Sequence, residues 1–477
     1  MYMVKGSFSA VTRLESALVI VVIILAILAG VGYWQAATVA PAITTSTQTI
    51  HHTITQTSTV TQTTTLAPGA TATVTQTVTQ PPTTLTATVT QTATSTVTTT
   101  VTAKEAALPP VIKIGVLMPL SGPLAGPGSG MALAAHVAAK QVNDTGGIAG
   151  RPIKLIVEDV AVDPKMASDA VQKLVEIDGV QVVIGPPTSA QVLSIAPYVN
   201  ARKVVLITPS ATSGQITELG DDYIFRTVAS DRLQARAVSE YIKFMGFKRV
   251  ALFVRNDAYG RGLASDIQAY VPDRVVKEGV VFYETGKSDY TTELQQIKAS
   301  APDAVFYATF VADGFVAFKQ ALTLGLDKIP SLAPQEERDI SFYKDPLAAE
   351  FMVTTKMTGF APVSLSGTPS YVRFAEAYKK IVGKEAGLYT GQTYDATMLA
   401  ILAIAKAGVY EGPKIKEALQ LVSQTYNGPA GYLAFDKNGD VTEISWEMWR
   451  AVKTPQGEYT FEVIGRFDPV QGIILTK

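Results

Sequence analysis

With 477 residues the chain is longer than one ordinary domain. Its 41 acidic and 40 basic side chains leave a net charge of -1, which gives no electrostatic case for nucleic acid. There is no cysteine, and the three histidines are His51, His52 and His136. That excludes disulfides, thiol nucleophiles, cysteine-held metals and a lipidated cysteine, and leaves little from which to build a catalytic triad or a zinc site. No cofactor and no metal is expected.

Residues 17–33, ALVIVVIILAILAGVGY, are almost wholly apolar and follow Lys5 and Arg13. The length suits a short membrane-spanning helix, and the preceding basic residues put everything after it outside the cell. Residues 1–35 are therefore expected to be a membrane anchor or signal segment. From 36 to 109 the composition changes: about half of the stretch up to residue 103 is Thr or Ser, and no charged residue falls between Glu15 and Lys104. Such a segment buries too little apolar surface to offset its ordering entropy, so a disordered stalk is expected, of the kind that carries O-linked glycans. Its TVTQTVTQ repeats also have strand propensity.

The folded part begins near residue 110. A strand over 111–118 leads into the Gly/Pro loop PLSGPLAGPGSG and a helix over 131–143. A strand (153–158) and an amphipathic helix (164–177) follow. Residues 180–212, VQVVIGPPTSAQVLSIAPYVNARKVVLITPSAT, then read strand, turn, helix, strand, turn. The two apolar, β-branched runs suit buried parallel strands, and both end in hydroxyl-rich turns. In a doubly wound sheet those turns lie at the carboxyl ends of the strands, where ligands bind. Hydroxyls beside free N–H groups at a helix start suit a carboxylate. The alternative is that Thr188, Ser189 and Thr212 are helix caps and nothing more.

A strand at 223–227 and a helix at 231–245 lead into a second β/α array. Its strands are expected at 249–254, 280–283, 304–309 and 330–333, with helices at 260–270, 291–300 and 313–325 between them. Two arrays in succession imply two doubly wound lobes. Residues 369–421 read as mostly helical, and the tail from 432 as β-hairpins with a turn at 436–440.

Gly126-Pro127-Gly128-Ser129-Gly130 is not a nucleotide loop: no Lys follows it, and its third glycine comes one residue early for GxGxxG. The acidic groups Glu336, Glu337, Asp339 and Asp221-Asp222 read as solvated loop surface without a partner for acid–base work. Tyr259 and Phe310, each just after a strand of the second array, could cover a ligand from the opposite lobe.

Taken in order, IGVLMPLSGPLAGPGSG, VNDTGGIAGRPI, VVIGPPTSAQ, LITPSAT, YIFRT, RNDAYGRGL, PDAVFYATF and GQTYDAT resemble the extracytoplasmic solute-binding proteins of ABC importers for leucine, isoleucine and valine. That family includes receptors for small amides and urea. The KGSFSA segment is similar to pilin-type signals of some archaeal secreted binding proteins. The resemblance implies an α/β type I periplasmic-binding fold, with two parallel-sheet lobes joined by three crossovers near 228–231, 358–362 and 435–441. One lobe would comprise 110–229 and 361–437, the other 230–360 and 438–477.

By position the resemblance makes Ser189 the hydroxyl for the ligand carboxylate, with Thr188 beside it. Thr212 would bind both ends of an amino acid, and Ser210 would offer its carbonyl. Tyr259 and Phe310 would be aromatic walls. Two positions depart. Pro127 stands where an aromatic is common, and Gln335 where amino-acid binders place the glutamate for the ammonium, with Glu336 adjacent. That leaves amides, urea or a carboxylate open as ligands. The implied role is non-enzymatic ligand capture on the extracellular face, with ABC permease subunits and, through the N-terminal helix, the membrane as partners. A sensory receptor ectodomain and an amidase-like enzyme are the alternatives. The chain shows no nucleophile–base pair for the latter.

Overall fold

The computed structural model describes residues 58–66, 70–78 and 108–476, apart from 221, 443 and 444. The apolar run 17–33 and most of the Thr-rich stretch lie outside the described residues. Among the described residues no helix is long and apolar enough to cross a membrane. Within the Thr-rich stretch, Ser58–Leu66 and Ala70–Val78 pair as an antiparallel hairpin. This corrects the expectation of a stalk without regular structure there. β-branched Thr and Val supply the strand propensity, and the pairing runs from Ser58 with Val78 to Leu66 with Ala70. The second compact unit takes in Leu108, which is buried in its core.

In that unit the first sheet is formed by Ile112–Met118 (β1), Ile153–Asp159 (β2), Val182–Ile184 (β3), Val205–Thr208 (β4) and Ile224–Arg226 (β5). All are parallel, in the order β2-β1-β3-β4-β5. β3, β4 and β5 are buried throughout, because helices cover both faces of the sheet. The second sheet is formed by Val250–Arg255 (β6), Val275–Tyr283 (β7), Ala304–Ala308 (β8), Ser331–Ala333 (β9), Thr358–Pro362 (β10), Trp446–Lys453 (β11), Tyr459–Asp468 (β12) and Gly472–Leu475 (β13). Its order is β13-β12-β11-β10-β9-β8-β6-β7. The strands from β7 to β10 repeat the winding of the first sheet, and β11 to β13 extend it antiparallel.

Helices Thr390–Ala407 and Gly412–Ser423 come late in the chain yet pack in the core of the first lobe. The chain therefore passes between lobes three times. The first passage lies between Arg226 and Asp231. The second follows Pro362, because Thr358–Pro362 is a strand of the second sheet and not a crossover. The third follows Val441, which packs in the first core, while Gly439 accepts a bond from the Arg226 N–H. Val363 N–H donates to Ser445 O at 2.9 Å, pairing the second and third passages.

One helix differs from expectation. It runs Ala125–Asn143 and takes in the GPGSG run, which the sequence suggested was loop. Pro127 is its third residue, where a backbone N–H would lack a helical partner anyway, so proline is tolerated.

Candidate functional site

β3 and β4 end side by side, and their turns are stitched together. Thr208 Oγ1 donates to Pro186 O at 2.7 Å and Ser210 Oγ to Pro187 O at 2.9 Å. Ser189 Oγ accepts from the Ser213 N–H at 3.1 Å. Gly185 makes the first turn possible: its φ is +91°, and a Cβ there would lie 2.2 Å from Leu117 O. Neither Ser189 nor Thr212 is a helix cap. Helix Ser189–Arg202 has Thr188 at its cap position without a capping bond, its hydroxyl donating instead to Gln191 Oε1 at 2.8 Å. The short helix Gly214–Thr217 is capped by Ser213. Ser189 and Thr212 are both buried.

Beneath this wall lies Arg226, fully buried. It forms a two-pronged ion pair with Asp440, at 2.5 and 2.9 Å, and donates to the carbonyls of Thr212 (2.9 Å) and Ser213 (3.0 Å) and to Thr217 Oγ1. The planar fork of arginine fits this set of acceptors. The turn that presents Thr212 is thereby fixed from below, and Thr212 O also accepts from the Asp231 N–H at 2.8 Å.

The second wall is aromatic and acidic. Tyr259 is the second residue of helix Ala258–Tyr270, which Asp257 caps. Its ring stacks on Phe310, centroids 5.7 Å apart, and the Arg255 guanidinium lies 3.8 Å from the Phe310 ring centre. Asp257 and Asp313 hold Arg255 in turn. Tyr259 OH donates to Glu336 Oε2 at 2.7 Å. Gln335 Nε2 donates to Glu336 Oε1 at 3.3 Å and to Tyr389 OH at 3.1 Å, and Tyr389 OH donates to Glu336 Oε1 at 3.2 Å. Tyr389 introduces helix Thr390–Ala407 of the first lobe, so this cluster spans the cleft. The lobes also meet where Gly262 faces Ser213, since a Cβ at 262 would come within 2.5 Å of Ser213 Oγ.

Glu336 and Glu337, read from the sequence as solvated, are both buried. Thr309 N–H and hydroxyl hold Glu337 Oε1 at 2.7 and 2.9 Å. Burial raises the Glu336 carboxyl above its ordinary range, against the pull of bonds from Tyr259, Gln335 and Tyr389. Burial and then the Glu336 charge push Glu337 up further. Tyr259 and Tyr389 rise for the same two reasons, so both phenols keep their protons and donate.

Of the residues singled out from the sequence, Tyr259, Phe310, Gln335 and Glu336 form one cluster. Ser189 and Thr212 belong to the opposite wall, and Thr188 and Ser210 bond only within their own lobe. Sequence reasoning missed Arg226, Asp231 and Tyr389. Arg226 lies within the YIFRT motif and Tyr389 two residues before GQTYDAT, but contacts 214 and 53 positions apart leave no local signal.

A family model for the periplasmic binding proteins matches residues 111–449. The leucine-, isoleucine-, valine-, threonine- and alanine-binding protein of Pseudomonas aeruginosa is 28% identical over 319 residues, 66% of this chain and 83% of that protein. The Leu/Ile/Val-binding protein of Escherichia coli is 28% identical over 327 residues, 66% and 85% of the two chains. Among solved structures, a leucine-binding protein from Thermotoga maritima superposes with a TM-score of 0.65 at 24% identity, covering 75% of this chain and 99% of its own. With two sheets of one winding, three passages between them and a cleft walled by both, the chain belongs to the periplasmic binding protein family.

Proposed function

We propose that this chain captures an α-amino acid of the leucine, isoleucine or valine class outside the cell and presents it to the membrane subunits of an ABC importer. What carries the reading is the opposition of the two walls. The buried hydroxyls of Ser189 and Thr212, with the helix start at Ser189, suit a carboxylate, and Glu336, bonded by three neutral donors, suits an ammonium. Tyr259 and Phe310 offer the apolar surface between them. The relatives' binding of branched-chain amino acids supports the same class. Glu336 takes the part that Gln335 leaves open. Residues 17–33 would tether the chain to the membrane, with the Thr-rich stretch as a spacer.

Three narrow passages between lobes allow hinge closure around the ligand. Small-angle scattering should record a smaller radius of gyration with saturating L-leucine, and an unchanged radius would argue against closure. The decisive test is calorimetric titration of L-leucine, L-isoleucine, L-valine, acetamide and urea into the chain. A hydrogen bond to a charged group contributes about 1.5–3 kcal/mol, so Thr212→Ala should weaken leucine binding roughly tenfold to a hundredfold. Binding of the amides alone, or turnover of any of these compounds, would overturn the reading.

A further inference from the structure

Tyr259 and Phe310 stand on different chain segments, and one buried residue holds both. Arg255 ends β6 and is 5% exposed. Tyr259 follows β6 on helix Ala258–Tyr270, whose cap, Asp257, accepts from the Gly260 N–H at 3.0 Å. Phe310 follows the neighbouring strand β8, at the cap of helix Val311–Thr323, which carries Asp313 in its first turn. The Arg255 guanidinium reaches both helix starts. Its Nε donates to Asp257 Oδ2 at 2.9 Å and its Nη1 to Asp313 Oδ2 at 2.6 Å.

Both ends of this clamp are fixed. Asp313 is buried, and its other oxygen accepts from the Gly286 N–H at 2.9 Å and from Tyr290 OH at 3.0 Å. A Cβ at Gly260 would lie 2.2 Å from Arg255 O, so the Tyr259 helix sits directly against the end of β6. The guanidinium carbon lies 3.8 Å from the Phe310 ring centre, and that ring stacks on Tyr259 with 20° between the planes. Phe310 has no polar atom in its side chain, so what lies against the ring decides where it rests. Arginine suits the place because its edge can meet two carboxylates while its face covers an aromatic ring, which a lysine ammonium cannot do together.

We infer that Arg255 is a positioning residue for the apolar wall: by tying the two helix starts together and lying on the Phe310 ring, it sets the spacing of Phe310 and Tyr259, and with it the choice among ligand side chains. This rests on the amino-acid reading above and adds to it a determinant of selectivity that acts through Phe310. Attraction between apolar groups fades over a gap of about 0.5–1 Å, so a displaced ring costs a long side chain more than a short one. If the two ion pairs served the fold alone, weakening them would lower stability and weaken every amino acid by one factor.

The test compares L-leucine with L-alanine, which has the same head group and a single methyl, by calorimetric titration of the full chain. Arg255→Lys keeps a cation beside Asp313 and loses the planar stack. The ratio of leucine to alanine affinity should drop roughly tenfold, about the discrimination that one methylene provides, with alanine affinity little changed. In a Phe310→Leu background the same substitution should leave the ratio where it was, since the ring it acts through is gone. An equal loss for both amino acids would overturn the proposal, and so would a drop of full size in the Phe310→Leu background. Should Arg255→Lys fail to fold, Asp257→Asn takes its place. Asparagine still caps the helix and loses one arm of the clamp, so the ratio should again drop, and an unchanged ratio overturns the proposal. If the native chain binds neither amino acid, the ligand reading fails separately. The clamp is then read without ligand, from the proton resonance of the Arg255 Nε–H. An aromatic face shields a proton above it, so the signal should move downfield in Phe310→Leu, and a signal that stays in place overturns the clamp.

Discussion

The two walls of the cleft reach rigidity by opposite routes. On the first, the one buried cation, Arg226, is matched by Asp440, and its remaining donors hold the Thr212-Ser213 carbonyls. The wall is neutral and its hydroxyls are oriented. On the second, Glu336 has no basic partner among the described residues and is held by two phenols and an amide. A paired charge fixes structure, whereas an unpaired buried charge stays in tension until something of opposite sign comes in. On the proposed function, the difference would orient a zwitterion across the cleft, carboxylate toward Ser189 and ammonium toward Glu336.

Perturbing each wall should reveal that difference. The largest effect concerns a carboxyl of the first lobe that has no ion pair among the described residues. Asp395 is fully buried, bonded by Tyr426 OH at 2.5 Å and Ala430 N–H at 2.7 Å, and burial pushes it up to about 8. The native state thus holds a proton that the unfolded chain loses near pH 4. Stability should fall as pH rises from there to about 8, by about 6 kcal/mol at roughly 1.4 kcal/mol per unit. Denaturant titrations across that range should show the decline, and Asp395→Asn should flatten it.

Next comes Arg226→Ala, which strands Asp440 and frees the Thr212 turn. Chemical denaturation should register a loss of about 3–5 kcal/mol, typical of a buried pair broken on one side. The second wall should respond the other way. Glu336→Gln removes an unpaired buried charge, so unfolding midpoints should hold or rise, while leucine binding weakens roughly tenfold to a hundredfold by calorimetry. A matching loss of stability in Glu336→Gln would erase the distinction between the walls. The smallest effect is expected from Tyr389→Phe, which removes one neutral donor from Glu336. A contribution of about 0.5–1.5 kcal/mol corresponds to a twofold to tenfold weaker complex, measured by the same titration.

Much of the architecture was legible because it is written in short-range pattern. Runs such as 182–184 and 205–207 are continuously apolar and β-branched, and parallel strands covered on both faces demand that. The hydroxyls of Ser189 and Thr212 could be put at strand ends by counting along the chain. The acidic group at 336–339 was misread for the converse reason. Local sequence cannot tell a solvated glutamate from one that a phenol 77 residues upstream and another 53 residues downstream enclose.

The sequence by itself determined the alternation of strands and helices, the two arrays and the hydroxyl-rich turns, since each depends on neighbours within a turn or two of chain. Tertiary structure alone decided which turns met, that helices from 390 onward return to the first lobe, that Arg226 pairs with Asp440, and that Glu336 is buried among phenols. The physical reason is that burial and partnering of a charge depend on chain segments brought together from far apart. In the cleft, whether a carboxylate is surface or ligand site depends on its distance from water, which no local pattern encodes.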